Sequence, residues 1–233
     1  MLDHLKQSLD PALFWEYRVT LLAGLVENIA IFLASAVLAS LLALAIGLAR
    51  TSSNRFSRLL SAGYTELFRN TPEYVLLVWA YYVLPLILSR LLAQKLSISP
   101  VPAAILALGF AYSGFLSETV RTGLLAVPIG HREAAMALGM SRIDILRRIV
   151  FPQGLRRVLP DALNQYVSLF KATSIVSLIA VEDIMYQVSM INVEEMRPLP
   201  LYTGAALLYC AIVIAASQTI QVLTRRWRQR GWA

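Results

Sequence analysis

Residues 21–49 read LLAGLVENIAIFLASAVLASLLALAIGLA, a run in which Glu27 is the only charged residue. A helix needs about 20 apolar residues to cross roughly 30 Å of hydrocarbon, so this stretch is long enough to span a bilayer. The rest of the chain agrees with it. Of 233 residues, 58% are hydrophobic and only 15% charged, a balance foreign to soluble domains. Period-two alternation is absent, which excludes a membrane β-barrel together with the soluble fold. The fold class is therefore an all-α membrane protein, a five-span helical bundle with a structured cytoplasmic loop, forming one transmembrane domain over residues 1–233.

The spans fall at about 21–49, 59–88, 101–120, 162–181 and 201–223. The second is the awkward one. Its charge-free part, Tyr74 to Leu88, is too short to cross, so the helix must start near Leu59 and carry Glu66, Arg69, Asn70 and Glu73 inward, with a break or kink at Pro72. Lys171 lies near the middle of the fourth span, and the fifth has no charge. A cleavable signal peptide is not expected, because the first apolar run is too long and follows Asp3, Asp10 and Glu16 rather than a basic cluster.

Basic residues orient the bundle. One side collects Arg50, Arg55, Arg58, Arg121, Arg132, Arg142, Arg147, Arg148, Arg156, Arg157, Arg225, Arg226, Arg228 and Arg230, and the other only Lys6, Arg18, Arg90, Lys95 and Arg197. The positive-inside rule then puts the N-terminus outside and the C-terminus in the cytoplasm, and it accounts for the net charge of +7 without a nucleic acid partner. His4, His131 and Cys210 are too few for a metal or redox centre, so no metal or cofactor is expected on this chain.

The cytoplasmic segment 126–160 is too long and too well punctuated for a plain connector. Pro128 suits the entry of a short helix from Gly130 to Leu138, and Gly139 its left-handed cap. Ser141 and Asp144 read as the N-cap and its partner for a second helix, which Pro152 is expected to stop. On that second helix Ile145, Leu146, Ile149 and Val150 share one face, away from Arg142, Arg147 and Arg148. The small residues Ala134, Ala135 and Ala137 permit close approach by another protein.

Glu133-Ala134-Ala135, then Gly139, Ile149 and Phe151-Pro152, resembles the EAA loop of the membrane permeases of ATP-binding-cassette importers, with Phe-Pro where the family has Leu-Pro. Phe68-Arg69-Asn70-Thr71-Pro72, Glu118 with Arg121, Pro152-Gln153-Gly154-Leu155-Arg156-Arg157 and Lys171-Ala172-Thr173-Ser174 are similar to the polar amino acid subfamily, the histidine, glutamine, arginine and opine type. Departures are Glu73 and Leu76 where members often have Leu and Gln, Phe115 for Tyr and Ala172 for Asp. The resemblance implies a type I importer permease fold in a bacterial inner membrane. It also implies coupling through Glu133, Ala134, Ala135, Gly139, Ile149 and Pro152 to a separate ATPase dimer that holds ATP and magnesium. Further implied partners are a second permease subunit, identical or homologous, an extracytoplasmic solute-binding protein and membrane lipid.

The chain has no G-x-x-x-x-G-K-[ST] phosphate loop and is read as a permease rather than an enzyme. Charges inside hydrocarbon are costly, which makes Glu66, Arg69, Asn70, Thr71, Glu73, Ser117, Glu118, Asn164, Ser168 and Lys171 candidates for a polar substrate path. Each also has a structural reading. Glu66 can neutralise Arg69, Glu73 can pair with Arg69 across the turn at Pro72, and the stripe Asn164, Ser168 and Lys171 can bond a neighbouring span. An ion-coupled secondary transporter of small polar solutes is the alternative, although inverted halves are not visible. The topology is checked by labelling Ser8→Cys and Gln229→Cys in intact cells on a Cys210→Ala background. Position 8 is expected to react and position 229 to stay protected, and the reverse pattern would overturn the orientation.

Overall fold

The computed structural model describes residues 11–229. Asp3, His4, Lys6, Ser8, Asp10 and Arg230, used above, lie outside the described residues. The described residues are 87% helical and contain no strand. Among the described residues, four helices are long and apolar enough to cross a membrane: Arg18–Arg50, Glu73–Leu91, Pro100–Leu125 and Pro198–Val222. The expected fold class holds, but the count of five spans is not confirmed.

The corrections come from proline and from polarity. The second span begins at Glu73 rather than Leu59, because the helix Arg55–Asn70 ends at Thr71, whose backbone is extended. A residue before proline is pushed out of the helical region, and Pro72 imposes that on Thr71. The fourth expected span, 162–181, is the end of a helix Phe151–Ala172 followed by a 3₁₀ segment Thr173–Ile179. Arg156, Arg157 and Asp161 on the former make it too polar to count by composition.

Pro152 was expected to stop a helix and does not. The short helix Arg142–Ile145 passes into a π-helical turn, Leu146–Val150, and then directly into Phe151–Ala172. There the Phe151 N–H donates to the Leu146 carbonyl, five residues back. A normal turn would press the Pro152 ring against the carbonyl four residues behind it, and the wider turn relieves that clash. The same device recurs before Pro85, where the Leu84 N–H donates to the Trp79 carbonyl in the π-helical turn Trp79–Val83.

The chain clusters into two compact units. One contains residues up to Ala36, Pro72–Leu108 and Val167–Ala216. Its core joins Leu13, Leu21, Ile184, Val188, Ile191, Leu201 and Ala205, and the Tyr17 hydroxyl donates to Glu195 Oε1 at 2.6 Å. The other contains Val37–Thr71, Gly109–Tyr166 and the residues from Ser217. Here the helix Arg55–Asn70 is inside out relative to a soluble helix, with Ser61 and Thr65 buried and Phe56, Leu59, Leu60 and Leu67 exposed. Hydrocarbon gives no hydrophobic drive for helices to associate, so close packing and interhelical hydrogen bonds must do it.

Gly123 shows the close packing. A Cβ there would lie 2.9 Å from the Gly154 carbonyl oxygen and also clash with Val158, and one at Gly154 would lie 3.0 Å from the Gly123 carbonyl oxygen. Gly63 has nothing within 4 Å. Gly123→Ile should therefore destabilise the protein by about 1–3 kcal/mol through overpacking, while Gly63→Ala is neutral or stabilises by up to about 1 kcal/mol. Thermal unfolding in lipid nanodiscs reads both, and equal shifts for the two variants would contradict the packing account.

Candidate functional site

The segment that follows Pro100–Leu125 is folded much as its punctuation suggests. A helix runs from Ile129 to Ala137, entered from Pro128, and Gly139 sits at φ +78° where its N–H donates to the Met136 carbonyl. Ser141 caps the next helix by accepting from the Asp144 N–H and donating to Asp144 Oδ2 at 2.6 Å. Ala135 is the anchor of the Glu133-Ala134-Ala135 run: it is 2% exposed and packs with Leu124, Val127, Ile145 and Val150. Ile149 packs against that cluster from its edge, and Pro152 is half-buried. Glu133, Ala134, Ala137 and Gly139 are exposed.

Beside these small residues stand Met136, Leu138 and Ile143, exposed by 55%, 82% and 76%. Leu146, expected on the buried face, is also exposed. Three polar ties hold the platform on the helices around it. Arg132 donates to the Leu124 carbonyl, Arg157 to the Ala126 carbonyl at 2.6 Å, and the His131 ring meets Gln153 Oε1 at 2.9 Å. The result is a fixed helix with an exposed apolar edge, and exposed apolar edges are a feature of docking surfaces.

In the same unit Glu118 lies between two guanidinium groups. Arg50 Nη2 is 3.0 Å from Oε2, and Arg121 Nη1 donates to Oε1 at 2.9 Å. The carboxylate therefore ties the end of the first span to Pro100–Leu125. Ser117 is fully buried, its hydroxyl 3.0 Å from that of Thr65, and Tyr64 meets Ser113 at 2.6 Å. These four side chains join Arg55–Asn70 to Pro100–Leu125.

The remaining path candidates are placed as follows. Glu66 does not pair with Arg69. Its Oε2 instead accepts from Asn70 Nδ2 at 2.9 Å, and the Arg69 guanidinium lies over the Phe115 ring, 6.0 Å from its centroid. Thr71 donates to the Leu67 carbonyl, so one carbonyl left free by the helix end is satisfied, as Asn70 does for that of Glu66. Glu66, Arg69 and Asn70 are exposed, and Glu73 is half-buried in the first turn of its helix. On Phe151–Ala172, Asn164 and Lys171 are exposed and Ser168 half-buried.

A polar centre in the other unit is not among the candidates. Asn28, buried in the first span, donates to Thr173 Oγ1 at 3.0 Å and to Asp183 Oδ2 at 3.2 Å. It accepts from the Ile184 N–H at 3.1 Å and from the Tyr209 hydroxyl at 3.3 Å. Sequence reasoning attended to the charge of Glu27 and passed over its neighbour. The available signal was Asp183, an N-cap residue directly before the apolar start of a helix.

The family described as "Binding-protein-dependent transport system inner membrane component" matches residues 39–229. The chain is 33% identical over 211 residues to the histidine/lysine/arginine/ornithine transport system permease protein HisQ of Salmonella typhimurium, covering 89% of this chain and 92% of that protein. It is 32% identical to the arginine ABC transporter permease protein ArtQ of Haemophilus influenzae, over 75% of this chain and 79% of the relative. The crystal structure of an amino acid ABC transporter with histidines contains a chain that superposes with a TM-score of 0.82 at 26% identity, covering 91% of this chain and 96% of that one.

Glu118→Gln tests the ion triad. It leaves Arg50 and Arg121 without their countercharge in a partly buried place, and a loss of about 1–3 kcal/mol is expected. An unchanged melting temperature in nanodiscs would show that Glu118 carries no structural load.

Proposed function

The chain belongs to the family of inner membrane components of binding-protein-dependent transport systems, and from that premise we propose that it is the permease subunit of an ATP-binding-cassette importer. Its cargo is a polar amino acid or a related small polar solute, moved into the cytoplasm. The N-terminus is external, the C-terminus cytoplasmic, and the chain acts as one permease domain. ATP and magnesium are held by a separate ATPase dimer. A second permease subunit and an extracytoplasmic solute-binding protein complete the assembly.

The observation that carries this reading is the loop helix Ile129–Ala137. Its buried Ala135 fixes it to the unit, Gly139 ends it abruptly, and Met136, Leu138 and Ile143 lie exposed beside it. A helix seated this way moves with the spans that carry it rather than independently. Docked on an ATPase that alternates between two states, it couples those states to two arrangements of the bundle. No hydrolytic residue is required of this chain.

The amino acid cargo rests on what the relatives transport and on exposed polar groups along these helices. Glu66, Asn70, Asn164 and Lys171 are exposed, the first two on a helix that also exposes Leu59, Leu60 and Leu67. Such groups favour a wet path for a polar solute over contact with lipid.

Leu138→Asp and Ile143→Asp test the docking. Both side chains are exposed, so each change should leave the stability within about 0.5 kcal/mol of wild type. Recovery of the ATPase in pull-down should fall at least about tenfold, as expected for a charge placed in an apolar contact. Undiminished recovery with both variants would remove the loop edge from the interface.

A further inference from the structure

The Asn28 centre lies in the unit that does not carry the loop helix, and it holds a buried carboxyl group. Asp183 is fully buried, and its carboxylate does two jobs. It caps the helix Ile184–Glu195 by accepting from the Tyr186 N–H at 2.9 Å, and it accepts from Asn28 Nδ2. Asn28 in turn holds the first N–H of the same helix, that of Ile184. Thr173, on the preceding 3₁₀ segment, and Tyr209, on the last long helix, complete the ring around Asn28.

The backbone approaches as closely as the side chains. A Cβ at Gly24 would lie 2.7 Å from the Ile184 nitrogen and 2.8 Å from the Asp183 carbonyl carbon, so only glycine admits the helix start at this distance. The first span, the 3₁₀ segment and the helix Ile184–Glu195 thus meet at one carboxyl group.

That group has no countercharge. The neighbours acting on it are the Tyr186 and Met185 backbone, the Asn28 amide and the Tyr209 hydroxyl, and none is a cation. Thr173 is neutral, Tyr209 is itself an acid, and the adjacent Glu182 is exposed. Three donors, the Tyr186 and Met185 N–H groups and the Asn28 amide, favour the ionised form, but burial without a cation disfavours it more.

We propose that Asn28 and Asp183 form a proton-controlled latch, in which a protonated Asp183 lets Ile184–Glu195 dock on the first span and an ionised one loosens it. The proton is exchanged with bulk water, and no other reactant is needed. Burial raises the Asp183 carboxyl from its usual 3.8 to about 6 while docked. The docked form therefore binds more protons than the open form, and its stability falls as pH rises through that interval before levelling off above it.

Hydrogen–deuterium exchange of the full-length chain in phospholipid nanodiscs tests this, reading the Ile184 and Tyr186 amides with rates corrected for intrinsic pH dependence. Opening should be about tenfold more frequent at about pH 7.5 than at about pH 5, the ratio that carboxyl values of 3.8 open and about 6 docked require. Asp183→Asn keeps a good helix cap and removes the titration, so its protection should not vary with pH. A flat profile in the wild type, or a retained slope in Asp183→Asn, would overturn the latch. Should Asp183→Asn fail to fold, Asn28→Asp places a second carboxyl against the first. The midpoint must then move upward, and an unmoved or lowered midpoint would overturn the latch equally.

Discussion

A peptide N–H or carbonyl in hydrocarbon has no water to turn to, and much of this structure follows from that. Helices are the immediate answer, but the chain places prolines inside two of them. The π-helical turns before Pro85 and Pro152 keep the backbone bonded where each ring removes a donor and crowds a carbonyl. Hydroxyl groups add to the same end. Ser61, Thr65, Thr71 and Thr122 each return a hydrogen bond to a carbonyl four residues back, so their polarity is spent within their own helix. Thr65 then has a lone pair left for Ser117, and one side chain serves both its helix and its neighbour.

The same constraint separates the two kinds of apolar surface. On Arg55–Asn70 the exposed Phe56, Leu59, Leu60 and Leu67 lie opposite the buried Ser61 and Thr65, through which the helix packs. On the segment 126–160, which carries six arginines, exposed Leu138 and Ile143 stand among charged neighbours. The continuous run from Arg142 through the π-helical turn to Ala172 joins that edge to a longer helix without a break.

Much of this was legible in residues alone. The run 21–49 named the class, Pro72 marked its break, and Pro128, Gly139 and Ser141 took the positions their chemistry suits. What was missed depended on tertiary partners. Pro152 was read as a stop because local rules do not foresee a π-helical turn that absorbs it. Ala135 was grouped with Ala134 as surface, though helical rotation turns one inward and the other out. Arg50 was counted only for orientation, since nothing near it in sequence announces Glu118. The span 162–181 is not confirmed, because the helix Phe151–Ala172, with Arg156, Arg157 and Asp161 in its first half, is amphipathic rather than uniformly apolar.

The central claim is that this permease moves a polar amino acid only when a partner hydrolyses ATP. Uptake of radiolabelled histidine, arginine, glutamine and octopine by proteoliposomes containing the complete transporter and its solute-binding protein tests it most directly. The account predicts accumulation of at least one of them with ATP and magnesium supplied on the ATPase side, and none with a non-hydrolysable analogue. Equal accumulation without ATP, driven by an imposed ion gradient, would contradict it.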